Sequence, residues 1–369
     1  MNPNTRKLHA LGQSLWLDNI TRKLLNSGTL KRYITDLSVT GLTSNPTIFE
    51  EAIATSDLDH DAIRPLAHAG WEPELIFESL AVEDVRAASD LFLPLYEGSD
   101  GKDGFVSIEV SPRLADDTQG TLVEARRLWE SVNRPNLMVK IPATEGGVPA
   151  IEQAIYEGIN VNVTLVFSLD RYSQVMEAYL RGLERRVEAE RPIDRLASVA
   201  SFFVSRVDTA VDGKLEAILR DEGAHAPRAL AMLGKAAIAN AKLAYAQFKV
   251  AFGNPRFSRL LEYGGRTQRP LWASTSTKNP AYSDVLYVEQ LIGKGTVNTL
   301  PPKTLNLFRD HGRAELSLEQ DLAVARAQLD SLAELGISME AITRDLETDG
   351  VGAGAFDSVN DFQHIAVGY

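Results

Sequence analysis

Short apolar runs with strand character recur along the chain, and segments with a helical spacing of apolar residues separate them. This alternation predicts repeated β/α units that build a parallel sheet. Eight strands are predicted, at residues 14–18, 39–45, 105–110, 137–143, 159–167, 199–204, 271–276 and 295–300. Eight parallel strands favour a closed barrel, so the predicted fold class is α/β: a (β/α)8 TIM barrel with extra helices and a C-terminal helical segment.

The segments between the strands carry the helical pattern. One helix follows a cap at Ser168, and others are predicted at residues 118–131, 147–157, 209–220, 228–251 and 282–293. The links after the second and sixth strands are long enough for extra helices. Beyond residue 318 we predict one or two helices and then a mobile connector at the glycine-rich segment 350–354. We expect one barrel domain over residues 1–369, with 318–369 as its C-terminal helical extension.

Composition excludes several classes of protein. The 369 residues include no cysteine, so disulfides and cysteine nucleophiles are ruled out. The net charge of -12 argues against binding to nucleic acid. The polar N-terminus has no apolar stretch of signal-peptide length after it, and no run approaches a membrane span, so we expect a cytoplasmic protein that does not bind membranes. A monomer or homodimer is expected.

The fifth strand has one apolar and one polar face. Asn160, Asn162 and Thr164 alternate with apolar residues, and side chains alternate between the two faces of a strand. Helices cover the outer face of a parallel barrel, so the polar side chains are predicted to point inward.

The same alternation places Glu109 on the inner face of the third strand and Lys140 on the inner face of the fourth. Burying either charge alone costs roughly several kcal/mol of folding free energy. An exposed strand-end lysine or a buried ion pair is the structural alternative. The functional interpretation is a nucleophile, because burial lowers the pKa of an amine and lets it attack a carbonyl carbon. Glu109 could then carry protons through a water held by Thr164.

Four segments together resemble the strand motifs of transaldolases. They are TSNP at 43–46, VSIEV at 106–110, VKIPAT at 139–144 and GINVNVTLVFS at 158–168. Their order and spacing are more specific than any single motif, and the resemblance covers nearly all of residues 14–310.

The resemblance implies the transaldolase reaction of the non-oxidative pentose phosphate pathway. A dihydroxyacetone unit passes from sedoheptulose 7-phosphate or fructose 6-phosphate to glyceraldehyde 3-phosphate or erythrose 4-phosphate. Lys140 matches the family's Schiff-base lysine, and Glu109 and Thr164 match its water-handling pair. Asp18 matches the aspartate that removes the proton of the C4 hydroxyl. A helix cap is the alternative role for Asp18.

The resemblance also implies a set of substrate-binding residues. Two segments, ASFFVSR at 200–206 and WASTSTKN at 272–279, match family motifs, although Phe202 and Ser205 replace a usual proline and glycine. Lys278 stands where an arginine is expected and cannot form its bidentate fork; a solvated loop lysine is the alternative. The implied binding residues are Asn45, Asn162, Ser201, Phe203, Arg206, Ser274 and Lys278.

Two rival functions differ from transfer. A fructose 6-phosphate aldolase uses the same lysine but releases dihydroxyacetone to water; members of that branch are shorter and carry glutamine and tyrosine at the positions of Glu109 and Phe203. A barrel that binds sugar phosphates without catalysis is the third possibility. No cofactor is expected. No metal is expected either, because none of the six histidines pairs at metal-ligand spacing.

Overall fold

Eight parallel strands close into a barrel in chain order, as predicted. The computed structural model of the protein describes residues 2–44 and 57–366, the side chains at 57–60 and 353–366 excepted. Each predicted strand is confirmed, with ends that differ by a few residues. The strands are β1 Gln13–Asp18, β2 Val39–Thr43, β3 Val106–Glu109, β4 Leu137–Pro142, β5 Val161–Val166, β6 Ser198–Phe203, β7 Arg269–Ala273 and β8 Thr296–Leu300.

Helices surround the barrel, and the long links after β2 and β6 hold extra helices, as predicted. Before β3 the helices are α1 Pro3–Ala10, α2 Arg22–Asn26, α3 Thr29–Leu37, α4 Asp57–His68 and α5 Pro73–Gly98. Between β3 and β7 they are α6 Thr118–Val132, α7 Gly147–Glu157, α8 Leu169–Glu188, α9 Ser205–Arg220, α10 Ala226–Met232, α11 Ala236–Phe252 and α12 Pro255–Glu262. The last four are α13 Leu286–Gln290, α14 Pro302–His311, α15 Leu322–Glu334 and α16 Met339–Ala366.

Two predicted helices differ from those observed. The single helix expected over 228–251 is broken into α10 and α11, because Leu233 is extended and Gly234 has a left-handed φ of 69°. The helix expected over 282–293 is reduced to α13. No helix in the described part of the chain is long and apolar enough to cross a membrane.

The prediction of a mobile connector at 350–354 was wrong, because α16 continues through this segment. The helix packs against the carboxyl-end side of the barrel, where it contacts β5, α9 and the 3₁₀ turn Pro112–Leu114. A Cβ atom at Gly350 would come within 2.8 Å of the Leu165 side chain. A glycine there permits close packing, and this tertiary contact outweighs the low helix propensity of glycine.

An apolar layer fills the middle of the barrel. Its members come from the inner faces of the strands and from α5, and they are Trp16, Tyr96, Phe105, Met138, Ala197, Val199, Leu271, Ala273 and Val297. A Cβ atom at Gly41 would lie 2.5 Å from the Trp16 indole, so the glycine makes room for that ring. The layer separates a polar cluster at the amino ends of the strands from another at their carboxyl ends. The inward direction predicted for the faces of β3 and β4 is confirmed.

Candidate active site

A cavity of about 150 Å³ opens at the carboxyl ends of the strands. This is the end at which barrel enzymes carry their active sites. The cavity brings together most of the predicted site residues, from β1, β4, β5, β6, the first turn of α9 and the loop after β7. Those that line it are Asp18, Lys140, Thr164, Ser201, Phe203, Arg206, Ser274 and Lys278. Asn45 lies outside the described residues.

Lys140 lines the cavity, and the residue as a whole is 8% exposed. Its Nζ atom lies 3.0 Å from Oε2 of Glu109 and donates a hydrogen bond of 3.1 Å to the carbonyl oxygen of Ser44. Glu109 and Lys140 are paired residues on β3 and β4. Strand register therefore produces the contact, and the exposed strand-end alternative for Lys140 is wrong.

Asn162 continues the same row of residues onto β5, where it pairs with Lys140. Its amide donates to Oγ of Ser107 at 3.0 Å, and its Oδ1 accepts from Oγ of Ser201 at 2.8 Å. The amide is fully buried and fixed from both sides. Thr164 lies one pleat further along β5 and is also buried.

Asp18 occupies the end of β1, where its Oδ1 accepts a hydrogen bond of 2.9 Å from Thr43. Burial raises the pKa of Asp18 above its usual value, and the positive charge of Lys140 and the Thr43 hydrogen bond oppose that rise. A carboxylate with a raised pKa is a better proton acceptor near neutral pH. The helix-cap alternative is wrong, because Thr21 caps α2 by accepting from the backbone of Leu24.

The side wall of the cavity is aromatic and cationic. The ring of Phe203 packs against Phe167 at a centroid distance of 5.0 Å, and the Arg206 guanidinium lies 5.5 Å from the centre of the Phe203 ring. Arg206 belongs to the first turn of α9, at a helix N-terminus, which favours anions. The residue is exposed at the cavity mouth.

Ser205, the first residue of α9, is hydrogen-bonded to the loop after β7. A phosphate is expected to bind between these two segments. The hydroxyl of Ser205 lies 2.8 Å from that of Ser274, and the Ser205 backbone N–H donates to the Ser274 carbonyl at 2.9 Å. Ser274 has a left-handed φ of 55°, which turns the chain after β7. The loop then presents Lys278, exposed at the rim of the cavity. The serine that replaces the usual glycine thus adds a hydroxyl contact between the start of α9, which carries Arg206, and the loop that carries Lys278.

Phe202, the other departure from the family pattern, lies on the outer face of β6. Its ring packs edge-on against Tyr172 and Trp272, at centroid distances of 5.8 and 6.1 Å. The side chain is part of the packing between barrel and helices, so this replacement leaves the cavity wall unchanged.

Several polar groups at the site were not predicted. Ser44, Thr43 and Thr299 each contact a predicted residue or its partner. Thr43 and Ser44 belong to the TSNP segment, and alternation along β8 places Thr299 on the inner face with Val297. The sequence therefore contained the motif and the alternation that mark these residues. Which hydroxyls come into contact depends on the pairing of β1 with both β2 and β8.

A larger hollow of about 720 Å³ lies between α8 and α16, beside the barrel mouth. Its lining contains none of the predicted site residues. The carboxylates there include Asp116, Glu145 and Glu347, and Arg171 forms an ion pair with Glu347 at 3.4 Å. Within the described ranges, no group of three or more acidic or histidine side chains could hold a metal ion.

Comparison with known proteins adds a second line of evidence. Residues 15–364 match the family model described as Transaldolase/Fructose-6-phosphate aldolase. The chain is 48% identical over 351 residues to the transaldolase of Mycolicibacterium smegmatis, a match that covers 95% of this chain and 93% of that protein. It is 49% identical over 347 residues to the transaldolase of Thiobacillus denitrificans, which covers 94% of this chain and 95% of that protein. A transaldolase of Acidothermus cellulolyticus is 50% identical over 347 residues, with 94% and 91% covered.

Proposed function

The chain belongs to the family of transaldolases and fructose-6-phosphate aldolases, and from this premise we propose that it performs the transaldolase reaction through a Schiff base on Lys140. Its activity is that of a transferase, which moves a dihydroxyacetone unit between sugar phosphates in the pentose phosphate pathway. The observation that carries the residue assignment is the contact of 3.0 Å between Glu109 and Lys140, which lines the cavity.

The first stage forms the Schiff base. Lys140 first passes one proton to Glu109; its amine then attacks the C2 carbonyl carbon of the ketose phosphate, and a second proton moves from the nitrogen to the carbonyl oxygen to give a carbinolamine. Loss of water then gives an iminium ion. Glu109 lies close enough to take the amine proton and return it to the departing hydroxyl. Thr164, two residues beyond Asn162 on β5 and part of the cavity lining, holds the water that leaves and later returns.

The second stage breaks the C3–C4 bond. Asp18 removes the proton of the C4 hydroxyl, the aldose phosphate departs with a new carbonyl group, and the bonding electrons move into the iminium to give an enamine. The raised pKa of Asp18 suits this role, because burial brings its proton affinity closer to neutral pH. Attack of the enamine on the acceptor aldehyde, followed by hydrolysis, completes the transfer.

Substrate binding divides the cavity into two ends. Asn162, Ser201 and Asn45 hold the hydroxyls of the dihydroxyacetone unit and the lysine adduct, while Phe203 forms the wall. Arg206, Ser274 and Lys278 hold the phosphate. Support for this division comes from the buried amide of Asn162 at one end and the two cations at the rim.

Three further properties belong to the same proposal. The chain acts as one barrel domain over residues 1–369, with 318–369 as a helical extension. The protein works in the cytoplasm as a monomer or homodimer.

The test compares fructose 6-phosphate alone with fructose 6-phosphate plus erythrose 4-phosphate. We expect continuous formation of glyceraldehyde 3-phosphate and sedoheptulose 7-phosphate only when the acceptor is present. Without it, glyceraldehyde 3-phosphate should reach one equivalent per active site and stop. Continued release of dihydroxyacetone without acceptor would instead indicate an aldolase, and no reaction under either condition would indicate a barrel that only binds.

A further inference from the structure

Three side chains on neighbouring strands form a short chain of hydroxyl and carboxyl groups inside the barrel. The Thr43 hydroxyl lies between the other two, 2.9 Å from Oδ1 of Asp18 and 2.6 Å from the hydroxyl of Thr299. Thr43 and Thr299 are 2% and 4% exposed, so bulk water does not compete for these hydrogen bonds. The strand order β8, β1, β2 brings the three residues together.

The protons in this chain can be ordered by elementary rules. An ionised carboxylate accepts hydrogen bonds and donates none, so the single hydroxyl proton of Thr43 points to Asp18. The Thr43 oxygen must then accept the proton of Thr299, since the two oxygens are 2.6 Å apart. A hydroxyl that accepts a hydrogen bond becomes a stronger donor. Thr299 therefore strengthens the hydrogen bond that Thr43 donates to the ionised form of Asp18.

The cavity supplies the other charges that act on Asp18. Burial favours its neutral form, and the positive charge of Lys140 favours its ionised form. The other charged groups are Arg206 and Lys278, which line the cavity, and Glu109, which contacts Lys140. The charge at Lys140 changes during the reaction, because the iminium is positive and the enamine is neutral. The threonine pair carries no charge and acts throughout the cycle.

We propose that Thr299 is a positioning residue that orients the Thr43 proton and so keeps Asp18 ionised, with Oδ2 directed to the C4 hydroxyl of the substrate. The inference rests on the proposed function, because Asp18 needs this preparation only if it removes the C4 proton. Thr43 occupies Oδ1. The remaining carboxylate oxygen then accepts the proton while the aldose phosphate departs.

The test replaces Thr299 by valine, which keeps the shape and removes the hydroxyl, and by serine, which keeps the hydroxyl. In Thr299→Val the acid limb of the kcat/KM profile should move up by about half a pH unit to one unit, which lowers kcat/KM roughly three- to tenfold on the acid side. Thr299→Ser should keep the parent profile. Trapping of the Schiff base by borohydride should proceed at the parent rate in both, because it precedes the step that uses Asp18.

Thr275→Val is a matched control, because the buried Thr275 hydroxyl donates to Asn298 at 2.9 Å and to the backbone carbonyl of Thr299 at 3.4 Å, and so makes no hydrogen bond with the Thr299 hydroxyl. Its acid limb should stay at the parent position. An unmoved limb in Thr299→Val, an equal shift in Thr275→Val, or the same shift in Thr299→Ser would each overturn the role of Thr299. If the valine variant does not fold, Thr299→Ala must show the same upward shift, and a parent-like profile there overturns the proposal. Failure of the parent enzyme to be trapped at Lys140 would instead overturn the proposed function itself.

Discussion

The barrel has a pair of opposite charges at each end, and the two pairs differ in how many hydrogen bonds their carboxylates accept. At the amino ends of the strands, Asp103 lies 3.6 Å from Arg269; at the carboxyl ends, Glu109 lies 3.0 Å from Lys140. The exposed fractions of the four side chains are similar, at 10%, 17%, 15% and 10% in that order. Burial alone therefore does not distinguish the two pairs.

The carboxylate of Asp103 is saturated with donors. It accepts from the Ser14 hydroxyl, from Nε1 of Trp16 at 2.9 Å and from the backbone N–H of Gly104 at 3.0 Å. Arg269 donates to the Ser14 hydroxyl at 2.7 Å, which closes the network. Nη2 of Arg269, 3.6 Å from Asp103, has no hydrogen-bond partner, but the carboxylate itself is fully satisfied. A carboxylate held by this many donors is rigid, and its value is structural.

Lys140, which Glu109 contacts, lines a cavity instead. Beside its contact with Glu109, its amine donates to the Ser44 carbonyl, and a buried charged pair with so few hydrogen bonds contributes little to stability. The difference indicates that the pair at the carboxyl ends is retained for chemistry and the pair at the amino ends for the fold. Substitutions at the two ends can test this division.

The largest effect is expected for Lys140→Met, which removes the amine and keeps an apolar side chain of similar length. Transfer activity should fall on the order of 10⁴-fold or more, because no other group can form the Schiff base. The unfolding free energy should change by less than about 1 kcal/mol, since the Glu109 side chain is 15% exposed and water can solvate it. Steady-state rates and urea denaturation measure the two quantities. Residual activity within tenfold of the parent would contradict the assignment.

Glu109→Gln should have the next largest effect. The amide keeps the shape of the side chain but cannot accept a proton from Lys140, so Schiff-base formation should slow roughly 10²- to 10³-fold with little change in stability. Stopped-flow trapping with borohydride measures this step directly. Parent-like trapping kinetics would exclude Glu109 as the proton carrier.

Asp103→Asn is the matched substitution at the other end, with the opposite outcome. An amide cannot accept all the donors that converge there, so the unfolding free energy should fall by roughly 2–4 kcal/mol. The folded enzyme should keep kcat within about threefold of the parent, because the apolar layer separates this pair from the cavity. A large loss of kcat with unchanged stability would reverse the division drawn between the two ends.

The smallest effect is expected for Ser14→Ala. It removes the hydroxyl that links Asp103 and Arg269, while the carboxylate keeps its bonds to Trp16 and Gly104. A loss of about 1–2 kcal/mol in unfolding free energy should result, with kcat unchanged. A loss as large as that of Asp103→Asn would mean that the serine, rather than the carboxylate, organises the network.

The sequence predicted the charged pair at the carboxyl ends of the strands but not the one at their amino ends. At the carboxyl ends, alternation along three strands placed Glu109, Lys140 and Asn162 on one inner face, and strand register then brought them into one row. Periodicity carries this information because neighbouring parallel strands align their inward residues. The roles of the residues came from the resemblance to a family.

The network at the amino ends was not predicted. Asp103 lies in a loop before β3, and Arg269 begins a strand that was expected to start at Leu271. Their contact depends on closure of the barrel, which brings together residues 166 positions apart. The bend at Leu165, with a left-handed φ of 58°, and the course of α16 through its glycines likewise depend on long-range packing.

The central claim, that Lys140 is the nucleophile, is tested most directly by trapping the covalent intermediate. The enzyme is incubated with fructose 6-phosphate, reduced with borohydride and digested, and the peptides are mapped by mass spectrometry. We predict one reduced dihydroxyacetone adduct per chain, on the peptide that contains Lys140, and none in Lys140→Met. An adduct on another lysine, or no adduct in an enzyme that still transfers dihydroxyacetone, would contradict the claim.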